Sequence, residues 1–428
     1  MTSAIDTVTI RPRPGAFSAT VTVPGDKSLS HRSLIFAGFA NGTSIVSGLG
    51  TGEDIQSTKS ILADLGVVFD GDSVMSPGVR EWTEPANVLD CGNSGTTMRL
   101  MAGALSAASF ESVLVGDESL SSRPMERLVG PLGALGGRVE TSNGTAPMTV
   151  GGADVTRRPA DAVLPVASAQ LRTAFALAAI QGDAPSTIAS PDGFRDHTER
   201  WLVTLGLGER VGKSVLRIVP GEIPPGEYDV PGDPSSAAFL WAVAAIRTGS
   251  SVTTPGVSLN PGRIGFLQVL EMMGAKVEAE VTGAILGDPI GTVTVTGQTL
   301  HGVDLSGPVI AGALDELPLV GVVACFAEGM TTVRDAAELR TKESDRVSAT
   351  VAIIENMGGG AQEHADGFDV VGLGFLEGGE IDTRNDHRIA MAGAVAASCA
   401  SGPSTINDAG IAGVSWPDFY EVLESLWS

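Results

Sequence analysis

The clearest candidates for acid–base chemistry are Asp315 and Glu343, which stand in two short polar segments that each precede an apolar run. Lys342 and Arg346 lie close to the second carboxylate in the sequence. A carboxylate held among cations in a cleft can accept or donate a proton during a reaction. The same mixture of charges also occurs on solvated helix surfaces, so these residues alone leave both interpretations open.

A second candidate is the polar turn at residues 24–32, which contains Lys27, Ser28 and Arg32. An alternating apolar run precedes it and a second apolar run follows, so the turn is predicted to join a strand to a helix. Backbone N–H groups and the positive end of the helix dipole meet at such a turn, where an anion can bind. The turn lacks the glycines of a P-loop. An ordinary helix cap beside one surface lysine is the alternative.

Five further polar turns carry hydroxyl, amide or guanidinium groups, and several of them open an apolar run. Such groups suit the binding of phosphate or carboxylate, although helix caps and surface residues have the same composition. Together the turns predict a pocket for more than one small anion, with no cofactor and no metal ion. Their candidate residues are Asn93, Gly95 and Thr96; Arg123; Ser168 and Gln170; Arg195; and His387 and Arg388.

The composition narrows the class of protein. The chain has 428 residues and a formal net charge of −23, which argues against binding to nucleic acid or to an anionic membrane surface. Its three cysteines have no paired spacing, which favours a reduced, cytoplasmic protein. No apolar run is expected to be long enough to cross a membrane, and no charged-then-apolar targeting signal is expected at the N-terminus.

A repeated pattern indicates how these turns are positioned. An apolar helix-like run ends in a glycine and is followed by a strand-like run at Gly66, Gly136, Gly206, Gly274 and Gly358, with spacings of 70, 70, 68 and 84 residues. A glycine directly after a helix is the usual left-handed cap. The spacing predicts six α/β units, the last completed by the strand-like run at residues 7–11. Unrelated α/β domains with ordinary caps are the alternative.

Six units divide naturally into two domains of three. Matching Pro-Gly breakers at residues 24–25 and 231–232 predict the two crossovers between domains. The predicted domains are residues 25–230, and residues 1–24 together with 231–428. The active site is expected in the cleft between them, which is a common location for ligands.

The motifs occur in an order that resembles the 5-enolpyruvylshikimate-3-phosphate (EPSP) synthase family, from about residue 7 to residue 425. The resemblance implies the α/β enolpyruvyl transferase fold, with two domains that each hold three βαβαββ units as a pseudo-threefold, inside-out barrel. The motifs are Pro-Gly-Asp-Lys-Ser-x-Ser-His-Arg (24–32), Asn-Ser-Gly-Thr-Thr-Met-Arg (93–99), Ser-Ser-Arg-Pro-Met (121–125), Ser-Ala-Gln (168–170), Lys-Glu-Ser-Asp-Arg (342–346) and Asn-Asp-His-Arg-x-Ala-Met (385–391).

The resemblance also implies an activity in the shikimate pathway of aromatic amino-acid biosynthesis. The enolpyruvyl group of phosphoenolpyruvate would pass to the 5-hydroxyl of shikimate 3-phosphate, with release of phosphate through a tetrahedral intermediate. The domains would close on these two substrates in a monomeric enzyme. The implied catalytic residues are Asp315, Glu343 and Lys27. The implied phosphoenolpyruvate ligands are Lys27, Asn93, Gly95, Thr96, Arg123, Gln170, Arg346 and Arg388. The implied shikimate 3-phosphate ligands are Lys27, Ser28, Arg32, Ser168, Gln170, Arg195, Asp315 and Lys342.

The chain departs from the family pattern in places. Val414 stands where some members have a lysine, which removes one cation from the implied phosphoenolpyruvate site. The family is the target of glyphosate, and Gly95, where tolerant members often have alanine, leads us to expect partial sensitivity. Two alternatives stay open: an enolpyruvyl transferase that acts on UDP-N-acetylglucosamine, and a non-catalytic anion-binding protein. The first alternative would use a cysteine in a loop, and residues 117–124 contain none.

Overall fold

The computed structural model describes residues 7–428, and these residues divide into two compact units. We call residues 25–231 and 284–288 the N-terminal unit, and the rest of the described chain (7–24, 232–283 and 289–428) the C-terminal unit. The domain boundaries predicted from the sequence differ from this division at residue 231 and at residues 284–288.

The chain alternates between short strands and helices throughout. The strands are β1 (Thr7–Ile10), β2 (Ser18–Thr20), β3 (Asn41–Ser47), β4 (Val68–Asp70), β5 (Ser73–Pro77), β6 (Leu89–Asp90), β7 (Glu111–Val115), β8 (Val139–Ser142), β9 (Thr145–Gly151), β10 (Asp161–Val163), β11 (Ser186–Ala189), β12 (Gly208–Arg210), β13 (Val215–Ile218), β14 (Glu227–Asp229), β15 (Ser251–Ser258), β16 (Lys276–Ile285), β17 (Asp288–Thr296), β18 (Asp304–Leu305), β19 (Glu328–Val333), β20 (Gly360–His364), β21 (Gly367–Leu373), β22 (Glu380–Asp382) and β23 (Ser404–Asn407). The helices are α1 (Lys27–Phe39), α2 (Glu53–Asp64), α3 (Gly95–Leu105), α4 (Glu118–Ser121), α5 (Val129–Ala134), α6 (Ala169–Ala179), α7 (His197–Thr204), α8 (Pro234–Ile246), α9 (Gly265–Met272), α10 (Pro308–Ala313), α11 (Leu317–Cys325), α12 (Arg346–Asn356), α13 (His387–Cys399) and α14 (Phe419–Ser425).

The N-terminal unit contains three four-stranded sheets of one topology. Their strand orders are β14-β3-β5-β4, β6-β7-β9-β8 and β10-β11-β13-β12. In each sheet the first pair of strands is parallel and the other two pairs are antiparallel. In the second and third sheets a helix, α3 or α6, crosses over between the parallel strands, and helical residues then lead to the hairpin. In the first sheet α1 leads into β3 and α2 leads to the hairpin, while β14 from the end of the unit supplies the strand parallel to β3. The βαβαββ repeat predicted for this part of the chain is therefore continuous twice, and the third time it is completed by β14.

The C-terminal unit repeats the arrangement with one difference. Its sheets have the orders β2-β15-β17-β16, β18-β19-β21-β20 and β22-β23-β1. In the last sheet, Thr7 pairs with Asn407 and Ile10 with Ser404, so the start of the chain completes the sixth repeat as predicted. Strand β1 takes the place that β21 has in its own sheet, and no strand follows α14 in the described residues.

The five glycines that marked the repeats all have positive φ. The angles are 98°, 80°, 74°, 105° and 79° at Gly66, Gly136, Gly206, Gly274 and Gly358. Each follows the end of a helix, and a strand begins two to three residues later. This left-handed conformation strains residues that have a side chain, so glycine ends each helix at a fixed point. The predicted caps are confirmed.

The first helix of each repeat is buried, and the sheets cover it. In α8, every residue from Pro234 to Ala245 is buried, and the equivalent helices α1, α3, α6, α11 and α13 are buried along most of their length. Helices that are apolar on all sides must lie inside a core. Each unit therefore has helices inside and sheets outside, and the polar turns that open the buried helices provide its candidate site.

One stretch corrects a prediction from the sequence. Residues Pro308–Cys325 have a mean hydropathy of 1.6 over 18 residues, which is enough to span a membrane by length and composition. The stretch is made of α10, a 3-10 turn at Leu314–Glu316 and α11, and 67% of it is buried inside the protein. It carries Asp315 and Glu316 in the turn. A core segment explains its composition because its apolar side chains are covered by the protein itself.

Candidate active site

In the N-terminal unit, the turn before α1 places Lys27 beside a buried carboxylate. An added Cβ at Gly25 would lie 1.9 Å from the carbonyl oxygen of Gly48, so only glycine fits where these two backbone segments meet. Asp26 caps α1 by accepting a backbone N–H at 2.8 Å. The ammonium of Lys27 pairs with the carboxylate of Asp54, a buried residue in the first turn of α2. Lys27 therefore starts the helix with its charge partly balanced.

Arg32 lies one helical turn further along α1 and is 3% exposed. Its Nε donates to Oγ1 of Thr198 at 2.8 Å, and its Nη2 donates to Oγ1 of Thr173 at 2.9 Å. Its Nη1 donates to the carbonyl of Ser28 at 2.9 Å. These bonds tie the predicted shikimate 3-phosphate ligands Ser28 and Arg32 to α6 and α7.

A second group in the same unit surrounds the start of α3. The side chain of Asn93 accepts from Nη2 of Arg123 at 2.8 Å and donates to Asp117 at 2.7 Å. The amide of Gln170 donates to Oγ1 of Thr96 at 2.9 Å. An added Cβ at Gly95 would lie 3.5 Å from Nη1 of Arg123. The structure thus places five of the eight residues that the resemblance assigns to phosphoenolpyruvate near one another; whether they bind it stays a prediction.

Arg99 joins this group, although its role was not predicted from the sequence. Its Nη1 donates to Oε1 of Gln170 at 2.7 Å and lies 2.9 Å from the position of an added Cβ at Gly95. Burial, together with the neighbouring charges of Arg123 and Arg127, lowers its pKa to about 10. Because like charges repel the charged form of Arg99, a bound anion would stabilise that form. Its place in the quoted motif was the available signal.

A buried chain of hydroxyl groups fixes the starts of α1, α2 and α3 relative to one another. Nδ1 of His31 lies 2.7 Å from Oγ1 of Thr58, which lies 2.7 Å from Oγ1 of Thr97. The hydroxyl of Thr97 donates in turn to Ser94, the cap of α3, at 2.8 Å. Burial lowers the pKa of His31 to about 3, so its ring is neutral at physiological pH. His31 positions the site and does not supply a charge to it.

The remaining predicted residues of this unit lie at the starts of two helices. Ser168 caps α6 by accepting from the backbone N–H of Leu171 at 3.4 Å. Arg195 lies two residues before α7 in a loop and is half-buried.

Burial raises the pKa of the fully buried Cys91, so this thiol stays protonated and is no substitute for the reactive cysteine of the alternative enzyme.

In the C-terminal unit, Arg346 binds both predicted proton-transfer residues. Its guanidinium is 1% exposed; Nη2 lies 2.7 Å from Oε2 of Glu343, and Nη1 lies 3.5 Å from Oδ1 of Asp315. Nζ of Lys342 lies 3.8 Å from Oδ1 of Asp315 and 2.7 Å from Oε1 of Glu338. Arg346 thus pairs with both carboxylates, and the predicted ligand Lys342 lies near that of Asp315.

Asp386 is the residue that fixes this cluster, and sequence reasoning did not identify it. It accepts from Nε of Arg346 at 2.8 Å and from the backbone N–H of Arg388 at 2.9 Å, and so caps α13. Burial would raise the pKa of Asp386, but the charge and hydrogen bond of Arg346 lower it below its ordinary value. Burial likewise opposes the charge on Arg346, whose pKa is nevertheless raised by Asp386, Glu343 and Asp315.

Arg388 extends from the start of α13 toward the turn before α11. Its Nη1 donates to the carbonyl of Asp315 at 3.1 Å and to Oε1 of Glu316 at 3.0 Å, and it is 16% exposed. Buried Glu316 also accepts a hydrogen bond from Ser235 at 2.5 Å, so the carboxylate that binds Arg388 is itself fixed in place.

Val414, where some members of the family have a lysine, ends a 3-10 turn at Ala409–Val414.

Each unit therefore brings part of its predicted residues together. The N-terminal unit joins those around Gly95, and the C-terminal unit joins those around Arg346, whereas the described contacts do not join Lys27, Arg32, Ser168 or Arg195 to the group around Gly95. Among residues 7–428, no group of three or more His, Cys, Asp or Glu side chains could hold a metal ion. Both groups consist of cations and hydrogen-bond donors at or near helix starts, and the group around Arg346 also contains the carboxylates of Asp315 and Glu343. Such an arrangement can bind small anions and move protons.

The chain is similar in sequence and structure to known proteins along nearly its whole length. Residues 12–423 match a family model described as EPSP synthase (3-phosphoshikimate 1-carboxyvinyltransferase). The 3-phosphoshikimate 1-carboxyvinyltransferases of Syntrophomonas wolfei and Herpetosiphon aurantiacus are each 42% identical, over 95% and 94% of this chain and 97% and 95% of their own lengths. A solved structure of EPSP synthase from Acinetobacter baumannii superposes with a TM-score of 0.89 at 37% identity, covering 98% of both chains.

Proposed function

The chain belongs to the EPSP synthase family, and we propose that it transfers the enolpyruvyl group of phosphoenolpyruvate to the 5-hydroxyl of shikimate 3-phosphate. The observation that carries the proposal is the cluster in which buried Arg346 holds Asp315 and Glu343, with Lys342 and Arg388 beside them. Two carboxylates with fixed positions among cations match a reaction that moves two protons on a highly anionic substrate pair.

The substrates explain the number of cations. Each phosphate carries a charge of about −1.5 to −2 near pH 7, and each substrate also has a carboxylate. We assign the phosphoenolpyruvate to Lys27, Arg123, Arg346 and Arg388, lined by Asn93, Gly95, Thr96 and Gln170. In the structure, Arg346 also contacts Asp386, Glu343 and Asp315, so besides binding phosphoenolpyruvate it is expected to hold Asp315 and Glu343 in place.

Shikimate 3-phosphate is assigned to the hydroxyl and cationic groups at the starts of α1, α6 and α7. Its ligands would be Lys27, Ser28, Arg32, Ser168, Gln170 and Arg195 from the N-terminal unit, and Asp315 and Lys342 from the C-terminal unit. One substrate pair would thus use residues of both units, which have to meet around it during turnover. Ligand-driven closure allows like charges that repel one another to come together once an anion is present.

The proposed chemistry is an addition followed by an elimination. The 5-hydroxyl oxygen forms a bond to C2 of phosphoenolpyruvate and gives its proton to Asp315, assisted by Lys27. Glu343 donates a proton to C3, which becomes a methyl group in the tetrahedral intermediate. The C–O bond to phosphate then breaks, and Asp315 gives its proton to the leaving phosphate oxygen. The methyl group returns one proton to Glu343 as the double bond forms, so both carboxyl groups regain their starting states. No redox step and no cofactor are needed.

Phosphate release from the purified protein tests the proposal. We expect release with phosphoenolpyruvate and shikimate 3-phosphate together, and none when UDP-N-acetylglucosamine replaces shikimate 3-phosphate. Glu343→Gln should abolish turnover while both substrates still bind in calorimetry. Glu355→Gln, an exposed change on the same helix α12, is the matched control and should keep full activity. Tight binding without release in the wild type would favour a non-catalytic protein, and release with the UDP-sugar would favour the alternative enzyme.

The proposal extends to the setting of the enzyme. We propose a cytoplasmic monomer that acts on two small molecules and binds neither nucleic acid nor a membrane. The support is the net charge of −23, which repels polyanions and anionic lipid surfaces. Size-exclusion chromatography with light scattering would test the monomer, because a dimer would double the mass of 43.7 kDa.

A further inference from the structure

Arg172 is a buried cation that the mechanism above does not use. It lies in α6, one helical turn after Ser168, and its side chain is 2% exposed. Burying a guanidinium is costly unless all of it is bound. The bonds that Arg172 makes therefore show what it holds in place.

The partners of Arg172 come from three other segments of the N-terminal unit. Nε donates to Oε1 of Glu199 in α7 at 2.6 Å, and this carboxylate is 4% exposed. Nη1 donates to Oγ of Ser190 at 3.0 Å and to the carbonyl of Ser214 at 3.0 Å. The guanidinium carbon also stacks on the ring of Phe194, 4.0 Å from its centroid.

Two of these partners delimit the loop that carries Arg195. Residues 190–196, which we call the 190–196 loop, contain neither helix nor strand and join β11 to α7. Ser190 is the first residue of this loop, and Phe194 directly precedes Arg195. Arg172 thus holds the loop at its start and one residue before the proposed shikimate 3-phosphate ligand, while Glu199 holds the helix that follows.

Three ion pairs of the 190–196 loop are more exposed. Asp192 pairs with Lys213 at 2.7 Å, but this lysine is 87% exposed. Ion pairs in contact with solvent contribute little to stability, whereas an arginine with several fixed bonds in a dry environment constrains its neighbours strongly. Asp196 is bound by Arg200 and Arg210, both partly exposed. Arg172 is therefore a buried anchor of the loop.

We propose that Arg172 is a positioning residue for shikimate 3-phosphate: it holds the 190–196 loop so that Arg195 is presented on the same side as Ser168 and Gln170. This inference rests on the proposed function, because it takes Arg195 as a ligand of that substrate. A planar guanidinium is required, since one ammonium group cannot pair with Glu199, bond Ser190 and stack on Phe194 in the same geometry.

The test is Arg172→Lys, which keeps the charge beside Glu199. We expect the KM for shikimate 3-phosphate to rise about tenfold, equal to about 1.4 kcal/mol, while kcat and the KM for phosphoenolpyruvate change by less than about twofold. Phe194→Leu removes only the stacking surface and should shift the same KM in the same direction. Arg217→Lys is the matched control because Arg217 forms an exposed ion pair with Glu209 in the same unit.

Two further measurements separate positioning from general damage. In an Arg195→Ala background, Arg172→Lys should have no additional effect on the KM for shikimate 3-phosphate, since it acts through Arg195. Hydrogen exchange of the 190–196 loop should become faster in Arg172→Lys, with no change in α3. An unchanged loop, an effect that adds to that of Arg195→Ala, or an equal loss in kcat and both KM values would overturn the inference.

The proposed function can fail separately. A wild-type protein that releases no phosphate from this substrate pair would overturn the function, and with it the substrate assigned to Arg195. The exchange measurement on the loop does not depend on activity, so it would still decide whether Arg172 holds the 190–196 loop.

Discussion

Replacing Asp386 with alanine would remove the residue on which the C-terminal cluster depends. Its carboxylate accepts hydrogen bonds from Nε of Arg346 at 2.8 Å, from Oγ of Ser344 at 3.0 Å and from the backbone N–H of Arg388 at 2.9 Å. The residue is fully buried, and so is the guanidinium that it faces. Asp386→Ala would therefore leave a buried cation with fewer partners and α13 without its cap.

The size of the effect follows from these two losses. Breaking a buried ion pair costs about 3–5 kcal/mol. Losing a helix N-cap costs about 1 kcal/mol. Glu343 and Asp315 still neutralise part of the charge on Arg346, so we expect a total of about 4 kcal/mol, or about a thousandfold in the opening equilibrium. Asp386→Asn keeps a capping oxygen and should cost about 2–3 kcal/mol, because only the ionic part of the pair is lost.

Hydrogen exchange resolves this effect by region. Amides of α12 and α13 should lose protection in Asp386→Ala, while amides of α3 and α6 in the N-terminal unit serve as the internal reference. Asp418→Ala is the control variant, since Asp418 precedes α14 without making a side-chain cap bond. A loss of protection smaller than about tenfold, equal to about 1.4 kcal/mol, would refute the assigned role of Asp386. An equal loss in both units would refute its local character.

Three further predictions follow from the geometry. Arg346 lowers the pKa of Asp386 in the folded protein. The stabilisation by this carboxylate is therefore complete above the unfolded-state pKa of 3.8 and is lost as the pH falls through the lower folded-state pKa. Hydrogen exchange of α13 followed during acid titration should show this loss of protection in the wild type but not in Asp386→Asn. Gly95→Ala would place a Cβ 2.9 Å from Nη1 of Arg99. Steady-state kinetics should show an increase in the KM for phosphoenolpyruvate of up to about tenfold, with unchanged thermal stability. An unchanged KM would contradict the placement of Gly95 in the phosphoenolpyruvate site. Asp288→Ala removes the acceptor of both His197, at 2.9 Å, and Nε1 of Trp201, and thermal unfolding should show a destabilisation of about 3 kcal/mol, against less than about 0.5 for an exposed aspartate.

The repeat architecture could be predicted because each unit ends a helix with the same residue. Gly66, Gly136, Gly206, Gly274 and Gly358 all have the left-handed conformation that such a cap requires. This local rule needs no knowledge of tertiary structure. The place of β1 within its sheet could not be derived in the same way, because strand order is set by packing and not by local sequence.

The candidate ligands could be named from motifs, but their supporting residues could not. Arg99 and Asp386 stand within the quoted motifs, but nothing in the sequence indicates which side chains they hold, and Arg172 looks like an ordinary helix residue. Each has its role only because a tertiary contact binds its charge. Arg172, for example, forms an ion pair with Glu199, which lies 27 residues further along the sequence. Charges that are neutralised across distant segments leave no periodic signal, so sequence reasoning finds the groups that bind substrate before it finds those that position them.

Turnover in heavy water tests the central claim most directly. If the protein adds shikimate 3-phosphate to phosphoenolpyruvate and Glu343 moves a proton to and from C3, the methyl group of the intermediate mixes solvent deuterium with substrate hydrogen. Mass spectrometry should then find deuterium in the enolpyruvyl methylene of the product, formed with an equal amount of phosphate, and no product with Glu343→Gln. Absence of product, or a product free of deuterium, would contradict the account.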